Sequence, residues 1–329
     1  MSSAATSTSL ALVGDIGGTT ARLALADLSG AKPVISDIRD YPSRSYASGS
    51  DVVRAYLADT GRKPDTASIA VAGPVTGGAV HFTNLGWTFS ESEIRKLGLS
   101  RVRLLNDFEA LALATQHLAP DDSSTVGPVE QGEAGATVAV IGPGTGFGAS
   151  ALVRSGGHTV AMAGEGGHAS FGPGDEVERE ILAVLARKFP HVSIERVLSG
   201  PGLQNLYSAL DAIDGIVGEP PDPTEITRLA LQGEAKCART LLRFCAILGS
   251  VAGDFALTYG AREGVFIAGG IAPSILPFLE KSAFRDRFEA KGRFNTYLGA
   301  IPTRVIVHTH AAFLGAAELA RQIIDSDKH

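Results

Sequence analysis

The sequence predicts an α/β protein built from two related halves, and three observations carry that expectation. Short apolar runs such as "LALVGDIGG", "ASIAVAGPV" and "GVFIAGGI" alternate along the chain with helical stretches such as "SDVVRAYLADTG", the pattern of an α/β layer fold. A strand, a glycine turn with threonine and a second strand occur twice, as "VGDIGGTTARLAL" and "VIGPGTGFGASAL". Between the two copies lies "APDDSSTVGPVEQGEAGA", a soft stretch of Pro, Asp, Ser and Gly near which a domain boundary is expected.

Each element follows from local chemistry. "LALVGDIGG" reads as a strand entering a glycine turn, and "ARLALADLSG" as its return strand. In "SDVVRAYLADTG", Val52, Val53, Tyr56 and Leu57 share one helical face and Gly61 ends the helix. "ASIAVAGPV" is a buried strand stopped by Gly-Pro. "SESEIRKLGL" is a short helix with Ser90 as its cap and Glu93 three residues on. "RVRLLNDFEALALATQHL" changes character midway: Val102 to Leu105 suit a strand, Asp107 to Leu118 a helix.

Beyond the soft stretch, "TVAVIGPGTGFGASALV" is strand, turn, strand. "GDEVEREILAVLARKFP" is a helix capped by Asp175, with Glu178 as capping-box partner and Pro190 past its end. Two amphipathic helices are expected between Thr224 and Tyr259, the second long. "GVFIAGGI" is a buried strand ending in paired glycines. The basic stretch Lys281 to Arg293 reads as an amphipathic helix face, "RVIVHTH" as the last strand, and a closing helix begins at Ala311.

The totals narrow the function. At 329 residues the chain has ample length for two cores. Its net charge of -6 argues against a nucleic-acid face, but not against an anionic ligand, which backbone amides bind without lysine. Cys237 and Cys245 fit no zinc or redox spacing and read as buried thiols of a reducing compartment. "MSSAATSTS" lacks the pattern of a signal peptide, and no uninterrupted apolar run reaches the roughly 18 residues of a membrane span. A cytoplasmic protein is expected, with no membrane and no nucleic acid among its partners.

The two glycine hairpins could be merely tight turns. A plain hairpin turn needs one or two glycines, however, whereas "GDIGGTT" and "GPGTGFG" add hydroxyls at the tip. Successive amides in such turns form an anion-binding concavity, so a phosphate site is expected. There is no G-x-x-x-x-G-K-[ST], and neither turn runs into the helix that a dinucleotide fingerprint requires. Asp15 has no acidic counterpart at Ile141, so a duplicated scaffold with one carboxylate would place one metal ion.

Other residues carry two readings each. In "NDF", Asp107 suits helix capping and suits a general base at a strand's C-terminal end. In "AGEGGHASFGPGD", Glu165 and His168 sit among glycines, which rules out a helical metal face and suits a polyhydroxylated small molecule. Glu195 in "SIERVL" reads locally as solvated surface, and "TNLGW" as a loop with a packing tryptophan.

Together, "LVGDIGGTTARLAL", "LLNDFEALALA", "IGPGTGFGASALV", "GEGGH", "HVSIERVLSGPGLQNLY", "GVFIAGGI", "KGRF" and "IPTRVIVH" resemble the bacterial glucokinase family. That family lies within the larger group of sugar kinases, actin and heat-shock ATPases. The resemblance implies a two-lobed actin-like ATPase/hexokinase fold, with duplicated ribonuclease-H-like lobes and an interlobe cleft. Residues 1–117 with 307–329 would form the small lobe and 118–306 the large one. It implies ATP-dependent phosphorylation of D-glucose at its primary hydroxyl.

Residue by residue, the resemblance makes Asp107 the catalytic base. Asn106, Glu165, His168, Glu195, Thr83 and Asn84 become sugar contacts. Asp15, Gly17, Gly18, Thr19 and Thr20 match the first phosphate loop; Gly144, Thr145 and Gly146 match the second; Gly269 and Gly270 match the adenosine-side turn. Asp15 would hold magnesium through water, and a homodimer is implied. Thr20 stands where many relatives carry Asn, and Leu85 and Gly86 replace more polar residues between Asn84 and Trp87. The latter keeps a kinase for mannose or an amino sugar open as an alternative, beside a non-catalytic actin-like ATPase.

Overall fold

A computed structural model describes residues 9–82 and 85–327. Its contacts divide the chain into two units, Met1–Ala119 with His308–His329, and Pro120–Val307. The breaks thus fall at 119/120 and 307/308, against the expected 117/118 and 306/307.

The first unit runs β1 (Leu10–Ile16), β2 (Thr20–Asp27), β3 (Val34–Pro42), α1 (Gly49–Thr60), β4 (Thr66–Val71), β5 (Ala79–Phe82), β6 (Trp87–Ser90), α2 (Glu91–Arg95), β7 (Arg101–Asn106) and α3 (Asp107–Ala114). Its sheet has the order β3-β2-β1-β4-β7. The first three strands are antiparallel neighbours, and β4 and β7 join parallel to β1. Every residue of β4 is buried, as expected of a parallel strand covered on both faces.

The second unit runs β8 (Ser123–Thr125), β9 (Val138–Pro143), β10 (Phe147–Ser155), β11 (His158–Met162), α4 (Glu176–Ala186), α5 (Gly200–Ile213), α6 (Pro223–Leu231), α7 (Ala235–Tyr259), β12 (Gly264–Ile267), α8 (Ile271–Ser274), α9 (Leu276–Leu279), α10 (Phe284–Glu289), α11 (Asn295–Gly299) and β13 (Thr303–Ile306). Its sheet has the order β11-β10-β9-β12-β13-β8. Three antiparallel strands are again followed by two parallel ones, so the first unit's topology is repeated with β8 added at the edge. The chain then returns to the first unit as α12 (Ala311–Ser326).

Alternation along the strands builds the two sides of the first sheet. Leu12, Leu23 and Leu25 face α1, where Val52, Val53 and Tyr56 meet them. Val13, Ala24 and Ala26 face α12 and its Phe313, Ala316 and Ala317. The small residues let helix and sheet approach closely. Full burial of Phe313 adds about 1.5–3 kcal/mol.

In the second unit the 25-residue α7 is the central helix. Its length and apolarity would suit a membrane crossing. Phe244, Cys245, Leu248, Ala252 and Phe255 are instead buried in the unit's core, and Lys236, Arg239, Arg243 and Asp254 lie on it. Both thiols are buried, and burial pushes each up to about 12.

Several local expectations need correction. Ser90 and Asp175 cap their helices, accepting from Glu93 and Glu178 N–H, yet neither forms a full capping box. The Glu93 carboxylate pairs with Lys96. That of Glu178 turns into the core, where it takes the Gly174 N–H and pairs with Arg243 and Arg287. α3 stops at Ala114 instead of Leu118, with turns to His117. The basic stretch 281–293 is α-helical only over α10, and its last two residues open a 3-10 turn, Gly292–Phe294. From sequence alone, no element is assigned to the stretch that forms α5, which opens on Gly-Pro-Gly. Ser199 caps that start and Pro201 sits in its first turn, where a missing N–H does no harm.

Candidate active site

In each unit the singled-out residues gather at the C-terminal ends of the parallel strands, where α/β sheets bind ligands. In the first unit, the turn between β1 and β2 is closed by the Gly17 N–H donating to the Thr20 carbonyl at 3.0 Å. Ser43 clamps it from β3's end. Its N–H donates to the Thr19 carbonyl at 3.0 Å and its Oγ to the Gly17 carbonyl at 2.9 Å. Gly18 lies within this turn and Thr20 opens β2. Sequence reasoning missed Ser43, because a clamp 24 residues downstream leaves no local signal.

Asp15 lies next to last on β1, opposite Arg22 of β2, with Oδ2 3.9 Å from a guanidinium nitrogen. Burial among the strands pushes its carboxyl above the ordinary 3.8, although Arg22 and His310 pull it back. A third of the side chain remains exposed (34%), so it can meet a ligand. No group of three or more His, Cys, Asp or Glu suited to a metal exists among the described residues. One carboxylate beside a glycine turn fits magnesium, which keeps several waters and takes only one or two protein carboxylates.

The strand register Ile16↔Val71↔Asn106 sets Asn106 two strands from the glycine turn, about 10 Å across the sheet at ordinary strand spacing. Asn106 caps α3: its Oδ1 accepts the Phe108 N–H at 2.8 Å, and its N–H donates to Glu109 Oε2 at 2.9 Å. Its Nδ2 donates to the Gly73 carbonyl at 3.2 Å. Asp107 is the first residue of α3, half-buried, with Oδ1 3.0 Å from the Phe108 N–H. Asn106 is thus the N-cap, and Asp107 shares the Phe108 N–H with it. A helix N-terminus also favours an ionised carboxylate. Thr83 and Asn84 lie outside the described residues.

In the second unit the site is organised around the backbone of Phe147. The turn Gly144-Thr145-Gly146 is closed by the Gly144 N–H donating to the Gly146 carbonyl at 2.8 Å. The Phe147 N–H donates to Glu195 Oε2 at 2.9 Å. On the other side, a Cβ on Gly167 would run into the Phe147 carbonyl, and one on Gly166 would meet the Phe255 ring at 2.6 Å. These two glycines let Glu165 and His168, both exposed, ride on a loop pressed flat against β10 and α7.

The same loop is stitched to the Glu195 segment. Ile194 N–H donates to the Ala169 carbonyl and the His191 imidazole to the His168 carbonyl, each at 2.9 Å. Gly269 adopts φ of +85°, and a Cβ there would strike the Pro143 carbonyl. The Gly269-Gly270 turn thus lies backbone to backbone beside the end of β9 that leads into the Gly144-Thr145-Gly146 turn. The structure brings Gly144, Thr145, Gly146, Glu165, His168 and Glu195 into one group, with Gly269 and Gly270 adjoining it. Phe147 was missed, since a functional amide carries no mark in the side-chain alphabet.

The sequence profile of the Glucokinase family matches residues 12–323. The chain belongs to the glucokinase family. The glucokinase of Caulobacter sp. (strain K31) is 50% identical over 310 residues, 94% of each chain. A crystal structure of a glucokinase from an Antarctic psychrotroph superposes with a TM-score of 0.88 at 39% identity, covering 95% of this chain and 99% of that one. The glucokinase of Balamuthia mandrillaris, solved in complex with glucose, has a TM-score of 0.78 at 20% identity, covering 95% and 93%. That likeness carries the fold alone. The α/β, actin-like hexokinase fold read from the glucokinase motifs is the fold of these structures.

Proposed function

We propose that this glucokinase-family chain transfers the γ-phosphoryl group of ATP to the primary hydroxyl of D-glucose, with Asp107 as the general base. Family membership over residues 12–323 carries the reaction. The observation that carries the base is the position of Asp107: it is the first residue of α3, directly after the C-terminal end of β7, where a helix N-terminus favours the ionised carboxylate.

As transfer proceeds, Asp107 takes the proton from the attacking hydroxyl, a contribution of about 10²–10⁴ in rate. Asn106, Glu165, His168 and Glu195 bind ring hydroxyls, with Thr83 and Asn84 assigned to the same task by their place in "TNLGW". Carboxylates accept from hydroxyls and amides and imidazole donate, so the set can fix a polyhydroxylated ring in orientation. Gly17, Gly18, Thr19 and Thr20 in one unit, and Gly144, Thr145 and Gly146 in the other, supply amides and hydroxyls to the phosphates. Gly269 and Gly270 receive the adenosine side. Asp15 would hold magnesium through water; that ion neutralises phosphate charge when bound. The enzyme is further read as a cytoplasmic homodimer. Its buried, unreactive thiols suit a reducing compartment.

Asp107→Asn tests the base. It keeps shape and can still hydrogen-bond, so glucose affinity by calorimetry and the thermal midpoint should persist while kcat falls 10²-fold or more. A near-native kcat would return Asp107 to a structural role.

A further inference from the structure

We infer that the second glycine turn positions Glu195, so that phosphate and sugar occupancy are coupled through the Phe147 amide within the Pro120–Val307 unit. The inference rests on the reading of Glu195 as a sugar ligand and adds what aims it.

Glu195 sits on a short 3-10 turn, Ile194–Arg196, and is half-buried; a carboxylate on such a segment has several open rotamers. Two contacts remove that freedom. The Phe147 N–H holds Oε2 at 2.9 Å, leaving Oε1 for a ligand. Gly146 leaves the room: a Cβ built there would stand 2.5 Å from Oε2. Gly146 is absent from the glycines with positive φ, so backbone conformation does not demand glycine at this position. The space taken by the Glu195 carboxylate does. Gly144, two residues away, shares the ordinary backbone, yet a Cβ there would meet nothing within 4 Å.

The link is also made at the backbone. Ser199 Oγ donates to the Glu195 carbonyl at 2.8 Å, and the Gly200 N–H donates to the Gly144 carbonyl at 2.9 Å. Turn, carboxylate and the start of α5 form one hydrogen-bonded piece. A phosphate that engages the turn fixes the backbone that aims Glu195, and a sugar that engages Glu195 fixes the turn. By linkage each tightens the other by the same factor.

The test is calorimetry on the full chain, with glucose alone and with a non-hydrolysable ATP analogue in the absence and presence of glucose. Gly146→Ala should weaken glucose binding roughly tenfold or more without any nucleotide present, the scale of a displaced charge-assisted hydrogen bond. If Glu195→Ala weakens glucose but Gly146→Ala does not, the coupling is refuted while Glu195 remains a sugar ligand. If Glu195→Ala binds glucose normally, the sugar reading of Glu195 falls and the coupling with it.

Should Gly146→Ala fail to fold, Glu195→Gln decides. Its amide oxygen can still accept from Phe147, so nucleotide affinity should be lost in Glu195→Ala and restored in Glu195→Gln. Equal nucleotide affinity in wild type and both variants would overturn the inference.

Discussion

Asp15 carries the clearest prediction at the scale of a single residue. Burial raises its carboxyl above the ordinary 3.8, with Arg22 and His310 opposing. A raised folded value means that the protonated form is favoured in the fold, and that the cost of burying the charge is present at pH values above it. As pH falls from neutral, Asp15 therefore gains its proton before an ordinary aspartate does, and in its proposed role it would then release a hydrated cation. The apparent affinity for magnesium–nucleotide should weaken on acidification, and Asp15→Asn should flatten that dependence while lowering affinity at neutral pH. Titrations at a series of pH values read both. Legibility at this scale is uneven. Asn106 and Asp107 were visible because cap and acid stand together at a strand-to-helix junction, whereas Glu195 looked like surface and only its family resemblance marked it. The reason is physical: its partner is the Phe147 N–H, and every non-proline residue has one.

At the scale of elements, two contacts hold the site-bearing helices and loops in place. α12 crosses α3 so closely that a Cβ on Gly315 would strike the Ala110 carbonyl, and α3 carries Asp107 at its start. Gly315→Ala must push the two helices apart, which should cost about 1–3 kcal/mol of stability and lower kcat as α3 shifts. A denaturant melt and an assay measure the two effects. In the second unit, α4 is tied to α7 and α10 through Asp175, Glu178, Arg243 and Arg287, with Glu178 fully buried. Removing Arg287 leaves that buried acid with half its pairing, so Arg287→Ala should destabilise by about 3–5 kcal/mol.

The same cluster is acid-labile. Burial raises the Asp175 carboxyl, but the Glu178 N–H and the Arg243 and Arg287 guanidiniums outweigh it and hold the value below 3.8. Its stabilising contribution is thus present above 3.8 and lost as pH falls through the depressed folded value. Strands and long helices were legible from period and composition, as in β4 and α7. The Glu178 cluster was not, because its acid stands where a capping box is expected and only packing reveals that the side chain points inward.

For the whole molecule, the repeated order of three antiparallel and two parallel strands explains why the sequence contains two glycine hairpins, one in each unit. The repeat was legible in "VGDIGGTTARLAL" and "VIGPGTGFGASAL"; β3 and β8 were not, since neither alternates between buried and exposed faces, and β11 was not because His-Thr-Val-Ala-Met carries no apolar period although its burial alternates. The two turns differ in charge: Asp15 stands beside the first, whereas Ile141 holds the matching place before the second. The central claim is that these turns serve phosphoryl transfer to glucose. The most direct measurement is ATP-dependent ADP release at fixed magnesium, with glucose, mannose, an amino sugar or no sugar. Strong stimulation by glucose and near-background release without sugar are expected. Release that no hexose changes would contradict it, and would leave two phosphate turns in a nucleotide hydrolase.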